Sequence, residues 1–127
     1  MLLSDGSVLV LGGSDSRDGF GRYDSVERYD PATSTFSPAS TMLAQRYKIS
    51  AAVTLLGDGD VLVAGGAPAA ELFDSKSGSF QPVSGNFGAS FAFSTSTRLA
   101  NGDVLIAGGY DDRIQLTSRA WVYRPAP

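Results

Sequence analysis

The chain writes one seven-residue phrase three times: SVLVLGG at 7–13, DVLVAGG at 60–66 and DVLIAGG at 103–109. Self-similarity at a period of tens of residues marks an architecture assembled from repeated supersecondary units, which restricts the fold more than any composition does. The match extends to either side. A turn dipeptide precedes each phrase, Asp5-Gly6, Asp58-Gly59 and Asn101-Gly102, and such pairs predict a two-residue type I′ hairpin because both residues tolerate positive φ. Residues 49–56 and 91–99 read as the strand before the turn. Downstream, 25–30, 69–74 and 119–124 are rich in aromatic and β-branched residues, and TFSP at 35–38 and SFQP at 79–82 supply one strand more.

Each unit is thus an antiparallel meander of four short strands, a to d. The second strand of each, 8–11, 61–64 and 104–107, is apolar without alternation, the pattern of a strand covered on both faces. One four-stranded sheet cannot cover both of its own faces. Stacking such sheets flat against one another does, as in the blades of a β-propeller. No helical period follows any Gly-Gly pair, which excludes a dinucleotide-binding loop. The expected fold is all-β: a partial β-propeller of about three four-stranded blades, near 1–40, 41–84 and 85–127, the first lacking strand a and the third lacking strand d.

The order of Asp-Gly, apolar strand, Gly-Gly, Glu-x-Tyr/Phe-Asp and then an aromatic strand resembles Kelch repeats, especially the bacterial kind related to the galactose oxidase propeller. The residues that carry it are Gly12, Gly13, Glu27, Tyr29, Asp30, Pro31 and Phe36, then Gly65, Gly66, Glu71, Phe73, Asp74 and Phe80, then Gly108, Gly109, Trp121 and Tyr123. Arg124 stands where the third copy should have Asp, and Phe36 and Phe80 replace the usual Trp. The resemblance implies a propeller scaffold that hosts both binding modules and enzymes. The copper oxidases of this group use Tyr, His and Cys around the metal, and this chain has neither His nor Cys. No stretch fits the Asp-box turn of sialidase-type propellers.

Composition narrows the functional classes further. In 127 residues, 43% are hydrophobic, the net charge is −3, and the ten Lys and Arg are scattered singly, so no basic face awaits nucleic acid. Without Cys there is neither disulfide nor thiolate metal site, and without His the commonest metal ligand and general base are missing. We therefore expect no metal and no cofactor. The first 13 residues lack a basic leader region and belong to the first repeat, and no apolar run reaches the ~18 residues of a membrane span. The compartment stays open.

Ten strands make too few blades for a closed ring, which takes about four to eight. Two chains of three blades would complete a six-bladed homodimer, so self-association is expected. The alternative is a piece of a larger Kelch propeller enzyme or surface protein.

In a meander, a–b and c–d turns share one rim while b–c and d–a loops share the other. The second set is longer: 14–24, 39–48, 84–90 and 110–117. Long loops on a rigid scaffold are where binding concentrates, and here they carry Arg17, Asp18, Phe20, Arg22, Tyr23, Arg46, Tyr47, Tyr110, Asp111, Asp112 and Arg113. Arginine with tyrosine suits protein or glycan recognition. The acidic stretch DSRDGFG lacks the ligand spacing of a calcium loop, and the adjacent Asp111 and Asp112 read as hydrated loop acids. Glu27 and Glu71, within strands, read as repeat-stabilising residues. The function this sequence points to is a noncatalytic recognition module on an incomplete propeller.

Overall fold

The structure is a computed structural model that describes residues 1–126. Ten strands form three antiparallel sheets: β1 (Val8–Leu11), β2 (Val26–Asp30) and β3 (Thr35–Pro38); β4 (Val53–Leu55), β5 (Val61–Val63), β6 (Glu71–Asp74) and β7 (Ser79–Pro82); and β8 (Thr95–Arg98), β9 (Val104–Ala107) and β10 (Ala120–Tyr123). We call these sheets blades 1, 2 and 3. The single helical element among the described residues is a 3-10 turn at Asp18–Phe20. The fold is an all-β partial propeller. Strand a of blade 1 is reduced to a bridge between Leu2 and Val8, and blade 3 has no strand beyond β10 among the described residues.

Inner strands explain the repeated phrase. In β5, Val61, Leu62 and Val63 are all fully buried, because successive side chains point to opposite faces and both faces are covered. Val61 and Val63 join Leu9, Val26, Phe73 and Phe80 in the core between blades 1 and 2. Leu62 and Ala64 join Phe87, Phe91, Val104 and Ile106 between blades 2 and 3. The expectation of two covered faces fails for the other copies. Val10 in β1 is 46% exposed and Leu105 in β9 is 38% exposed, since each lies in an outer blade with a neighbour on one side only.

The a–b turns also differ from expectation. Only the glycine has positive φ, at Gly6, Gly59 and Gly102, so the turns are not type I′. Each loop has three residues: the amide of Leu3, Leu56 and Leu99 donates to the carbonyl of Ser7, Asp60 and Asp103, and the glycine amide donates back to the leucine carbonyl. The side chains of Asp5, Asp58 and Asn101 accept the amide two residues on. That Asx bond holds the first position at negative φ, leaving the left-handed step to glycine and giving a three-residue turn with a glycine bulge.

The Gly-Gly pairs end strand b where the backbone must pass close to a linker between blades. Gly109 has φ of 96°, and a Cβ there would lie 2.6 Å from the Ala92 carbonyl oxygen. Only glycine meets both demands. At Gly65 the obstruction comes from side chains, with Ala52 Cβ at 2.7 Å and Ser94 Oγ at 2.8 Å from where a Cβ would sit.

Candidate functional site: the long-loop rim

The two rims separate as the meander requires. Ser4, Asp5, Gly57, Asp58, Gly59 and Ser75, all from a–b and c–d turns, line one surface recess. On the other rim, loops from all three blades converge on a cleft of about 380 Å³. The loop after β1 contributes Arg17, Asp18, Phe20 and Arg22; the linker before β4 contributes Tyr47 and Lys48; the loop after β9 contributes Tyr110, Asp111, Asp112 and Ile114.

Lys48, which sequence reasoning missed, stands at the centre. Its ammonium lies 4.9 Å from the Tyr47 ring centroid, 5.5 Å from Phe93 and 5.9 Å from Tyr110, within reach of cation–π attraction. It donates to Tyr110 Oη and to Asp18 Oδ2, each at 3.3 Å. The bond to Tyr110, with Asp18 in support, raises its pKa and keeps it charged. A β-strand reading of residues 49–56 puts no emphasis on position 48; the one available signal was a Lys directly after the Arg-Tyr pair.

Arg22 ties blades 1 and 3 together. Its Nη2 donates to Asp112 Oδ1 at 2.7 Å, its Nε donates to the Gly19 carbonyl at 2.6 Å, and its guanidinium lies 5.0 Å from the Tyr47 ring centroid. Arg17 turns away to Asp15, meeting its carboxylate at 2.5 Å and holding that carboxyl below its ordinary pKa. Tyr23 also points to Asp15, at 3.2 Å. Asp111 is occupied by its own loop, accepting the amides of Arg113 and Gln115 at 2.9 Å. Arg113 is exposed and does not line the cleft.

Arg46 requires a correction, because its side chain is not on the rim at all. It is 1% exposed, with Nε 2.5 Å from Glu71 Oε1, Nη1 2.5 Å from the Gly65 carbonyl and Nη2 2.6 Å from the Ala69 carbonyl. The other Glu71 oxygen accepts the Leu43 amide at 2.6 Å. Burial lowers the Arg46 pKa and Glu71 opposes that shift. A buried charge survives only with such complete pairing, and Glu71 at a core-facing strand position was the sign that a cation had to reach it. Glu71 thus anchors the linker between blades 1 and 2 through Arg46 and the Leu43 amide.

Two exposed apolar side chains flank the cleft: Phe20 at 95% and Ile114 at 73% exposure. They rise beside paired charges, so the rim offers both apolar contact and charge.

Comparisons bear on this geometry. The Kelch motif model matches residues 1–43. The Kelch resemblance stands. Among solved structures, a fungal alcohol oxidase of the AA5 family in complex with copper matches with a TM-score of 0.68 over 98% of this chain, at 22% identity. The chain covers 27% of that oxidase, about a quarter of its length. Among curated proteins no match is found. Copper does not fit the residues present: the sequence holds no His and no Cys, the nitrogen and sulfur donors that copper prefers. Among the described residues, no three acidic side chains gather to replace them.

Proposed function

We propose that this Kelch-type segment is a noncatalytic recognition module whose long-loop rim binds a protein. The observation that carries this reading is the pair Phe20 and Ile114, both strongly exposed while lining a cleft built by loops of three blades. Large apolar side chains beside arginine, lysine and tyrosine have the make-up of a protein-binding hot spot, whereas a glycan site favours flat aromatic faces open to solvent. Tyr47, the ring most central here, is 8% exposed and already covered by Arg22 and Lys48.

The test is a parallel screen of the chain against a peptide array and an oligosaccharide panel, with the Phe20→Ser/Ile114→Ser variant beside it. Peptide binding lost in the variant at unchanged thermal midpoint supports the reading. Oligosaccharide binding alone, retained in the variant, would replace it with glycan recognition.

Self-association belongs to the same proposal. The outer faces of blades 1 and 3 expose Val10, Phe36, Leu105 and Val122 at 46, 61, 38 and 51%, and apolar sheet faces of this kind seek cover. Two chains would make a six-bladed ring. A second reading, a segment of a larger Kelch propeller enzyme or surface protein, is favoured by the quarter-length match to the AA5 oxidase. Light scattering at micromolar concentration separates them: a dimer mass supports ring completion, and a clean monomer removes it.

A further inference from the structure

The rim is notched at blade 2. Blades 1 and 3 join their second and third strands through long loops, 12–25 and 108–119, whereas blade 2 makes the same connection with the short segment 64–70. No residue of 64–70 lines the cleft, so its walls are the loops of blades 1 and 3, with Tyr47 and Lys48 between them. Blade 2 packs against a neighbour on each side. The notch is therefore built from the inside of the stack.

Charge within it is sorted by depth. The Arg22 and Lys48 side chains are 22% and 27% exposed, and both reach the ring of buried Tyr47, at 5.0 and 4.9 Å from its centroid. Their carboxylate partners, Asp112 and Asp18, are each 65% exposed. Cations thus sit deep, and acids sit at the lip. Each aspartate engages one oxygen only: Asp112 Oδ1 accepts from Arg22 Nη2 at 2.7 Å, and Asp18 Oδ2 accepts from Lys48 Nζ at 3.3 Å. The cations have donors to spare, since an arginine carries five N–H groups and a lysine three. Their other partners among the described residues are the Gly19 carbonyl and Tyr110 Oη. Two further charged residues line the cleft and are held elsewhere, Arg17 by Asp15 and Asp111 by the amides of Arg113 and Gln115.

We propose that the cleft takes an acidic segment of a partner protein, and that Asp18 and Asp112 occupy its place in the free chain. This rests on the protein-binding reading of the rim and adds the chemistry of its occupant. An incoming carboxylate displaces a lip aspartate from its cation. The loss is small, because an exposed ion pair has little net worth and the released aspartate returns to water that it already largely meets. The gain is larger, because an apolar residue of the occupant, set against Phe20 or Ile114, excludes water from the new pair and strengthens it. A basic segment would bring its charge onto Arg22 and Lys48. The two aspartates act as built-in competitors, so only an occupant with both acidic and apolar residues outbids them.

Three peptide libraries with fixed cores Glu-x-Glu-Phe, Gln-x-Gln-Phe and Lys-x-Lys-Phe and random flanks are passed over the intact protein. The tightest member of each is then dye-labelled and titrated by anisotropy. In an extended chain the two charged residues of a core share one face. The Glu peptide should bind about tenfold tighter than the Gln peptide, and the Lys peptide should bind weakest. Asp18→Asn/Asp112→Asn removes the competitors and should tighten the Glu peptide by about fivefold, and asparagine accepts the φ of 52° found at Asp18. Lys48→Gln should weaken it by about tenfold, with Lys48→Arg restoring part of the loss. The direction at the aspartates decides. Unchanged or weaker binding of the Glu peptide in the double Asn variant overturns the proposal, as does equal or tighter binding of the Gln or Lys peptide by the parent chain. In either case the protein-binding reading stands if the retained peptide is lost in Phe20→Ser/Ile114→Ser. Binding by none of the libraries also overturns it, and only an empty general peptide array removes the broader reading as well.

Discussion

The two interfaces between blades occupy equivalent places and are built from opposite materials. Between blades 1 and 2, the linker residue whose carbonyl accepts the Gly13 amide is Arg46, and its side chain pairs with Glu71. Between blades 2 and 3, the residue whose carbonyl accepts the Gly66 amide is Phe91, and it packs on Trp121. Glu71 pairs with Val63, and Trp121 with Ile106, so an ion pair and an aromatic pair stand at one position of the repeat. The backbone geometry is indifferent to which is used. The energetics are not: a buried ion pair roughly breaks even against apolar packing when whole, and is expensive when halved.

The largest effect should therefore come from halving it. Arg46→Met is expected to lose about 3–5 kcal/mol, read by urea denaturation, while Arg46→Met/Glu71→Met should recover most of that loss. If single and double variants unfold alike, charge has no special weight at this interface. Phe91→Ala should cost about 3 kcal/mol through the cavity it leaves. Its loss should stay the same at high salt.

A second contrast sets the covered face against the bare one. Phe80 is 8% exposed and Phe36, its counterpart in blade 1, is 61% exposed. Phe80→Ala should cost about 3 kcal/mol, and in the monomer Phe36→Ala under about 1 kcal/mol, rising toward the Phe80 value if two chains complete a ring. Equal losses would mean that something covers blade 1 in solution.

Smaller still is the effect at the rim, where Asp112→Asn removes the partner of Arg22 and should cost at most about 1 kcal/mol, shrinking with salt. Last comes acid. The Ser77 and Lys76 amides hold the Asp74 carboxyl below its ordinary value of 3.8, so the unfolded chain takes up that proton first. The stability this contributes is complete above about pH 3.8 and is lost as pH falls through the folded value. Asp74→Asn should flatten that limb of a stability–pH profile.

Much of this was legible in the sequence because inner and outer strands carry local signals. The segments at 8–11, 35–38, 79–82 and 104–107 match the observed strands end to end. Strand a was overdrawn: residues 49–56 shrink to Val53–Leu55 and 91–99 to Thr95–Arg98, because Ile49–Ala52 closes a turn, with the Ala52 amide on the Ile49 carbonyl, despite its apolar letters. At the rim, loop membership could be read but partners could not. Arg17 and Tyr23 turn to Asp15 within their own loop, whereas Arg46 goes inward and Lys48 and Phe93 enter the cluster through contacts between blades that one sequence does not display. Arginine is so seldom buried that Arg46 invited a surface reading.

The complete enclosure of β5 has a dynamic corollary. Amides of β1 and β9 can exchange with solvent when one outer sheet peels away, whereas those of Leu62 and Val63 must wait until both neighbours have gone. Deuterium uptake should accordingly be slowest at the middle of the stack and quicken toward each flank.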